Sequence, residues 1–215
     1  NADVSIGEYK EKFSGTLTFI KVDKATGRMS IAFQLLMPGF DYDLAHAGKG
    51  PSHGWAFFTS YNSEQAHTLL EKNASQNDKD FIAAVNWKRA EECVAQGKAT
   101  DLPSRYAHNE VGAGHIARTE FGTSVKLITP AQCEGVVYFL PTPKSPHGVD
   151  VNPSGEFISA GGKLASVIPV HSFAKMTAAI EAKTFENTVS GVPVLKYDAI
   201  LSCEVKEPGL GPLHT

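Results

Sequence analysis

No stretch of this 215-residue chain approaches the ~18 consecutive apolar residues of a membrane helix, so a helical membrane span is excluded. Charge of either sign is scarce and nearly balanced, Lys and Arg numbering 20 against 23 Asp and Glu, for a net charge of −3. That mild negative balance argues against a nucleic-acid partner, which needs a concentrated basic face. With 42% apolar residues the chain is no charge-rich disordered segment, and its length suffices for the core of one domain or two. Cysteine is sparse. Cys93, Cys133 and Cys203 are far apart and odd in number, so neither a disulfide framework nor a CxxC site is expected, and cysteine usage does not reveal the compartment. HExxH is absent, and Gly161-Gly162-Lys163 and Gly48-Lys49-Gly50 lack the spacing of a phosphate loop. Asp150-Val-Asn152-Pro-Ser154-Gly155 imitates the start of an EF-hand, but Gly161 stands at the twelfth position, where calcium needs Glu; a hairpin turn explains the segment. The chain opens Asn1-Ala2-Asp3 without Met or signal peptide and stops at Leu213-His214-Thr215, ends expected of a piece of a larger protein.

What is present is a series of short strands. Leu17 to Asp23 and Arg28 to Leu36 alternate around Ala25-Thr26-Gly27, and His147 to Asn152 and Glu156 to Ala160 flank Pro153-Ser154-Gly155. Both read as hairpins. Ser124 to Thr129 and Gly135 to Leu140 read as a third pair, joined through Pro130-Ala-Gln-Cys133. Helical periodicity is confined to 87–96, ending at Gly97, and 173–182, ending at Lys183. Each helix follows a strand, and the two modules lie roughly 85 residues apart, about twice a ~40 to 45 residue propeller period. Short hairpins with small helices between strands favour an all-β fold, a β-propeller segment over an immunoglobulin-like sandwich or a doubly wound α/β fold. Thr100 to Thr123, rich in His, Gly, Asn and Arg, reads as an exposed excursion.

Eight histidines are the first candidates for chemistry. His46 and His53, like His108 and His115, are spaced so that neither pair shares a helical turn or strand face, and all four are left unassigned; His67 and His171 lie in or beside regular elements. His147 and His214 each follow a proline-containing segment that fixes the backbone, Lys144-Ser-Pro-His-Gly148 and Gly209-Leu-Gly-Pro-Leu-His214. Histidines opening inner strands of different blades would converge on one centre suited to a borderline metal, copper above all. The plainer reading is a strand-opening His beside Pro and Gly that only turn the chain. A second candidate is an oxygen-rich calcium site from Glu64, Asp78 and Asp80, against a plain polar loop with capping carboxylates.

Pro143-Lys-Ser-Pro-His-Gly-Val-Asp-Val-Asn-Pro-Ser-Gly-Glu-Phe-Ile-Ser-Ala-Gly-Gly-Lys-Leu164 and Pro208-Gly-Leu-Gly-Pro-Leu-His-Thr215 resemble the catalytic domain of the nitrous oxide reductase family, as do Tyr61-Asn-Ser-Glu-Gln-Ala66 and Ala74-Ser-Gln-Asn-Asp-Lys-Asp80. The stretch 187–204 resembles the extra sequence that one branch of the family carries between the two histidine motifs. The resemblance covers nearly the whole chain. It implies that 1–215 is part of one seven-bladed β-propeller domain, with the C-terminal cupredoxin domain absent from the sequence. It further implies a periplasmic, head-to-tail homodimer that reduces N2O to N2 and water, the last step of denitrification. The implied cofactors are CuZ, a copper and sulfide cluster held by seven histidines, the CuA site of the partner's cupredoxin domain, and calcium. The electron donor would be a periplasmic c-type cytochrome or cupredoxin. His147 and His214 match two of the seven ligands. Glu64 and Asp78 match calcium carboxylates, Tyr61 and Lys72 match backbone carbonyl donors, and Ser145 stands where many relatives have Asn. Two other classes remain open: a non-catalytic propeller that serves as a binding module, and another periplasmic copper or calcium propeller enzyme.

Overall fold

A computed structural model describes residues 15–38, 40–63, 80–103, 124–209 and 212. Strand β1 (Gly15–Val22) runs antiparallel to β2 (Met29–Met37) around a turn in which Asp23 accepts the N–H groups of Ala25 and Thr26. β3 (Phe40–Ala47) leads through a 3-10 turn (Gly50–Ser52) to β4 (Trp55–Ser63). β5 (Phe81–Asn86) passes directly into helix α1 (Trp87–Ala95). Strands β6 (Thr100–Pro103), β7 (Ser124–Ile128) and β8 (Val137–Pro141) follow. β9 (Pro146–Val151), β10 (Phe157–Gly162) and β11 (Val167–Ser172) lead into α2 (Phe173–Glu181). The chain ends in β12 (Phe185–Val189), β13 (Val192–Leu195), the single turn α3 (Tyr197–Ile200) and β14 (Leu201–Lys206). The architecture is thus mostly β with short helices between strands, as expected from the sequence.

The strands form three sheets, ordered β1-β2-β7-β6, β12-β13-β8-β5-β4-β3 and β14-β11-β10-β9. The six-stranded sheet lies between the other two, and its strands alternate with period two. Ala83, Val85, Val137 and Phe139 join Phe33, Leu35 and Met37 of β2 in one core. Ile82, Ala84, Tyr138 and Leu140 turn the other way, onto Val149, Val151, Ile158 and Ala160. A sheet buried on both faces needs apolar residues at consecutive positions, which explains the unbroken runs Ile82–Val85 and Val137–Leu140.

The two strand-to-helix modules are alike in detail. Asn86 caps α1 by accepting the Arg89 N–H at 3.0 Å, and Ser172 caps α2 by accepting the Lys175 N–H at 3.3 Å. Gly97 at φ +74° ends the first and Lys183 at φ +52° the second, each in the left-handed conformation that closes a helix C-terminus. The modules belong to different sheets, β5 to the six-stranded sheet and β11 to the sheet β14-β11-β10-β9.

Three further expectations are corrected. β7 does not pair with β8: β7 lies between β2 and β6, whereas β8 lies between β5 and β13. β8 is apolar on both faces and so takes an interior place, and the turn at 129–136 carries the chain from one sheet to the next. Cys93 and Cys133 are joined in a disulfide that ties α1 to that turn, and Cys203 alone is unpaired. Finally, the excursion at 100–123 opens with strand β6, antiparallel to β7; the remainder, with His108 and His115, lies outside the described residues, as does His67.

Candidate metal centre

Sequence alone marks His147, and its surroundings are built from four directions. It is the second residue of β9, and its Nε2 lies 3.5 Å from Asp43 Oδ2 of β3, the two side chains about a third and a quarter exposed. A carboxylate at one ring nitrogen fixes the tautomer and orientation of a metal-binding imidazole. The main-chain carbonyl of His147 accepts from the Thr59 hydroxyl of β4. Two residues earlier, Ser145 is fully buried with φ +59° and no hydrogen-bond partner for its hydroxyl among the described residues. This left-handed backbone suits Asn better than Ser and stores of order 1 kcal/mol of strain. It is held by the Asp80 carboxylate, which accepts the Ser145 N–H at 2.8 Å, and by the Lys163 N–H, which donates to the Ser145 carbonyl at 2.9 Å.

The second histidine motif approaches through two glycines. A Cβ on Gly161 would stand 2.8 Å from the Pro212 carbonyl oxygen, and one on Gly162 2.5 Å from the Lys144 carbonyl oxygen. Gly162 also pairs across the sheet with Pro146, the residue before His147. The segment two residues before His214 therefore packs beside the segment that carries His147, because the Gly161–Gly162 pair has no side chains to hold them apart. Gly161→Ala is expected to cost about 1–3 kcal/mol through forced displacement of the Pro212 segment. Denaturant unfolding measures this, and a stability equal to wild type would contradict the close packing.

Of the other residues singled out, Tyr61 lies on β4 two positions beyond Thr59. Glu64, Lys72, Asp78 and His214 lie outside the described residues, although Asp80, which follows that loop, reaches Ser145. His53 stacks edge-on against Trp87 at 5.4 Å. His46 of β3 accepts the Val151 N–H through Nδ1 at 3.3 Å and lies 3.5 Å from Asp150 Oδ1. Asp43 and Thr59 carry no signal in the sequence, and His46, a candidate there without a role, gains its place only because the fold brings β3 and β4 to β9. Among the described residues no group of three or more His, Cys, Asp and Glu side chains is arranged to hold a metal unaided. One imidazole on a carboxylate, beside a buried hydroxyl lacking a partner among the described residues, fits a share of a larger metal site completed by donors elsewhere. Among the described residues no helix is long and apolar enough to cross a membrane.

No family model matches the chain. The nitrous-oxide reductase of Pseudomonas fluorescens is 25% identical over 204 residues, covering 87% of this chain and 25% of that protein. The nitrous-oxide reductase of Stutzerimonas stutzeri is 25% identical over 189 residues, with the same two coverages. The chain thus spans about a quarter of the length of these curated relatives. Among solved structures, Kuenenia stuttgartiensis hydrazine synthase aligns over 92% of this chain and 48% of that one at 13% identity, with a TM-score of 0.45 that is too low to carry an argument. Over most of its length, this chain is similar to nitrous-oxide reductases.

Proposed function

We propose that this chain is part of a copper-dependent oxidoreductase that reduces N2O to N2 and water with two electrons and two protons. The observation that carries this reading is the packing of Pro212 on Gly161 beside Gly162, which pairs with Pro146 next to His147, in a chain similar to nitrous-oxide reductases. In this reading β3-β4-β5-β8 and β9-β10-β11-β14 are neighbouring blades of a seven-bladed propeller whose inner strands are β3 and β9. Phe157 and Val205, exposed on the last sheet, would meet a further blade.

His147 and His214 would be two of seven imidazoles around CuZ, the other five lying elsewhere in the protein. A copper and sulfide cluster supplies several metals at once to bind, bend and donate electrons into a poor ligand. The chain's own share is to hold neutral imidazoles rigidly and keep the site shielded. Asp43 serves this by fixing the His147 ring, and Asp80 by anchoring the strained turn before it. Calcium would be held by Glu64, Asp78, the Tyr61 and Lys72 carbonyls and Ser145, tying the 61–80 loop to the His147 segment; the buried Ser145 hydroxyl, without a hydrogen-bond partner among the described residues, supports that assignment. Electrons would come from CuA of a partner subunit, fed by a c-type cytochrome or cupredoxin. The Cys93–Cys133 disulfide supports an oxidising compartment, consistent with a periplasmic enzyme of denitrification.

In the intact protein that carries this chain, His147→Ala and His214→Ala should each deplete copper and abolish N2O consumption. Wild-type copper and activity in both variants would reduce the two motifs to chain turns and leave a binding module.

A further inference from the structure

Among the described residues, strand β9 is the end of its sheet and pairs with β10 alone. In an antiparallel edge strand the main-chain groups of alternate residues point away from the partner and need hydrogen bonds of another kind. Residues 147 and 151 have the same parity, and both are satisfied by side chains of the neighbouring sheet. The Val151 N–H donates to His46 Nδ1 at 3.3 Å, and the Thr59 hydroxyl donates to the His147 carbonyl at 2.5 Å. Thr59 is fully buried, and its Oγ1 in turn accepts the Leu44 N–H of β3 at 3.3 Å. One hydroxyl therefore links the main chain of β3 to the main chain of the histidine itself. The same residue of β9 meets β3 again through its side chain, at Asp43.

We infer that Thr59 is a positioning residue for His147, setting the depth at which its imidazole stands at the inner edge of the sheets. Asp43 turns the ring, while Thr59 fixes the backbone from which the ring projects. Losing the hydroxyl takes the Thr59 donor from the His147 carbonyl and lets the start of β9 shift, and a ligand misplaced by a fraction of an ångström weakens a multi-ligand metal site. This inference rests on the copper reading above.

The test uses the intact protein purified without oxygen, comparing wild type with Thr59→Val, Thr59→Ser and Thr59→Ala. The readouts are copper retained against a chelator, the visible absorption of the bound copper, and the thermal midpoint. Thr59→Val, which keeps shape but cannot donate, should retain copper about tenfold less tightly with an altered spectrum. Thr59→Ser should match wild type, and Thr59→Ala stands in if the Val variant does not fold. Copper retention and spectrum unchanged in the Val and Ala variants of a copper-loaded protein would overturn the inference. So would a Ser variant as impaired as Val, since packing would then explain the loss. A wild-type protein that binds no copper would overturn the reading beneath it, an outcome separate from these.

Discussion

Replacing Cys93 and Cys133 together by alanine should lower the unfolding free energy by about 4 kcal/mol, the chain-entropy value for a loop of this size. The bridge closes a sequence separation of 40 residues that contains the whole excursion between α1 and β8. Both cysteines are fully buried in the core between the first two sheets, Cys93 on the inward face of α1 beside Ala90. Without the bond, α1 is still held to the 129–136 turn by packing, by the Arg89 side chain, which donates to the Glu134 carbonyl at 3.2 Å, and at its cap by the Asn86 N–H, which donates to the Val136 carbonyl at 2.9 Å. Denaturant unfolding of wild type and the double variant measures the difference. Mild reductant without denaturant should leave wild type unchanged, because exchange requires access to a sulfur. A double variant as stable as wild type would remove the disulfide from the account of what secures the excursion.

Acid should weaken the fold through His171. Its ring is fully buried, edge-on to Tyr197 at 5.7 Å, and neither nitrogen has a hydrogen-bond partner among the described residues; the Pro141 carbonyl lies near without reaching bonding geometry. Burial pushes its pKa down from 6.5 to about 4, opposed only in part by that carbonyl. The unfolded chain therefore takes up a proton below pH 6.5 that the folded chain refuses until about pH 4. Stability from this group is complete above pH 6.5 and declines as pH falls towards 4, by about 2 kcal/mol between pH 7 and pH 5. His171→Leu should remove that component, so the two proteins compared at pH 7 and pH 5 should differ in acid sensitivity by this amount. Equal sensitivity would mean that His171 takes up its proton as readily in the folded state as in the unfolded chain.

The elements governed by neighbouring residues were legible before the fold was known. Asp23 and Gly27 encode the first hairpin, Asn152 and Gly155 the second, and Asn86 and Ser172 start the two helices, each acting within about five residues. The failures lie where distant strands compete. The segment at β7 sits closer in sequence to β8 than to β2, yet pairs with β2, because only an interior position buries both faces of β8. The same holds for the site. His147 was found from its Pro-His-Gly setting, whereas Thr59 lies 88 residues from it and His46 lies 105 residues from Val151. Nothing local distinguishes that threonine from its neighbours. The disulfide was missed for a related reason: three widely spaced cysteines give no pairing signal until α1 and the 129–136 turn are brought together.

The most direct measurement is copper content and methyl-viologen-driven N2O consumption of the intact protein that carries this chain, isolated without oxygen from a host equipped for copper maturation. Several coppers per subunit together with N2O reduction are predicted. A folded but copper-free and inactive protein would contradict the account and return His147 and His214 to turn-forming positions in a binding module.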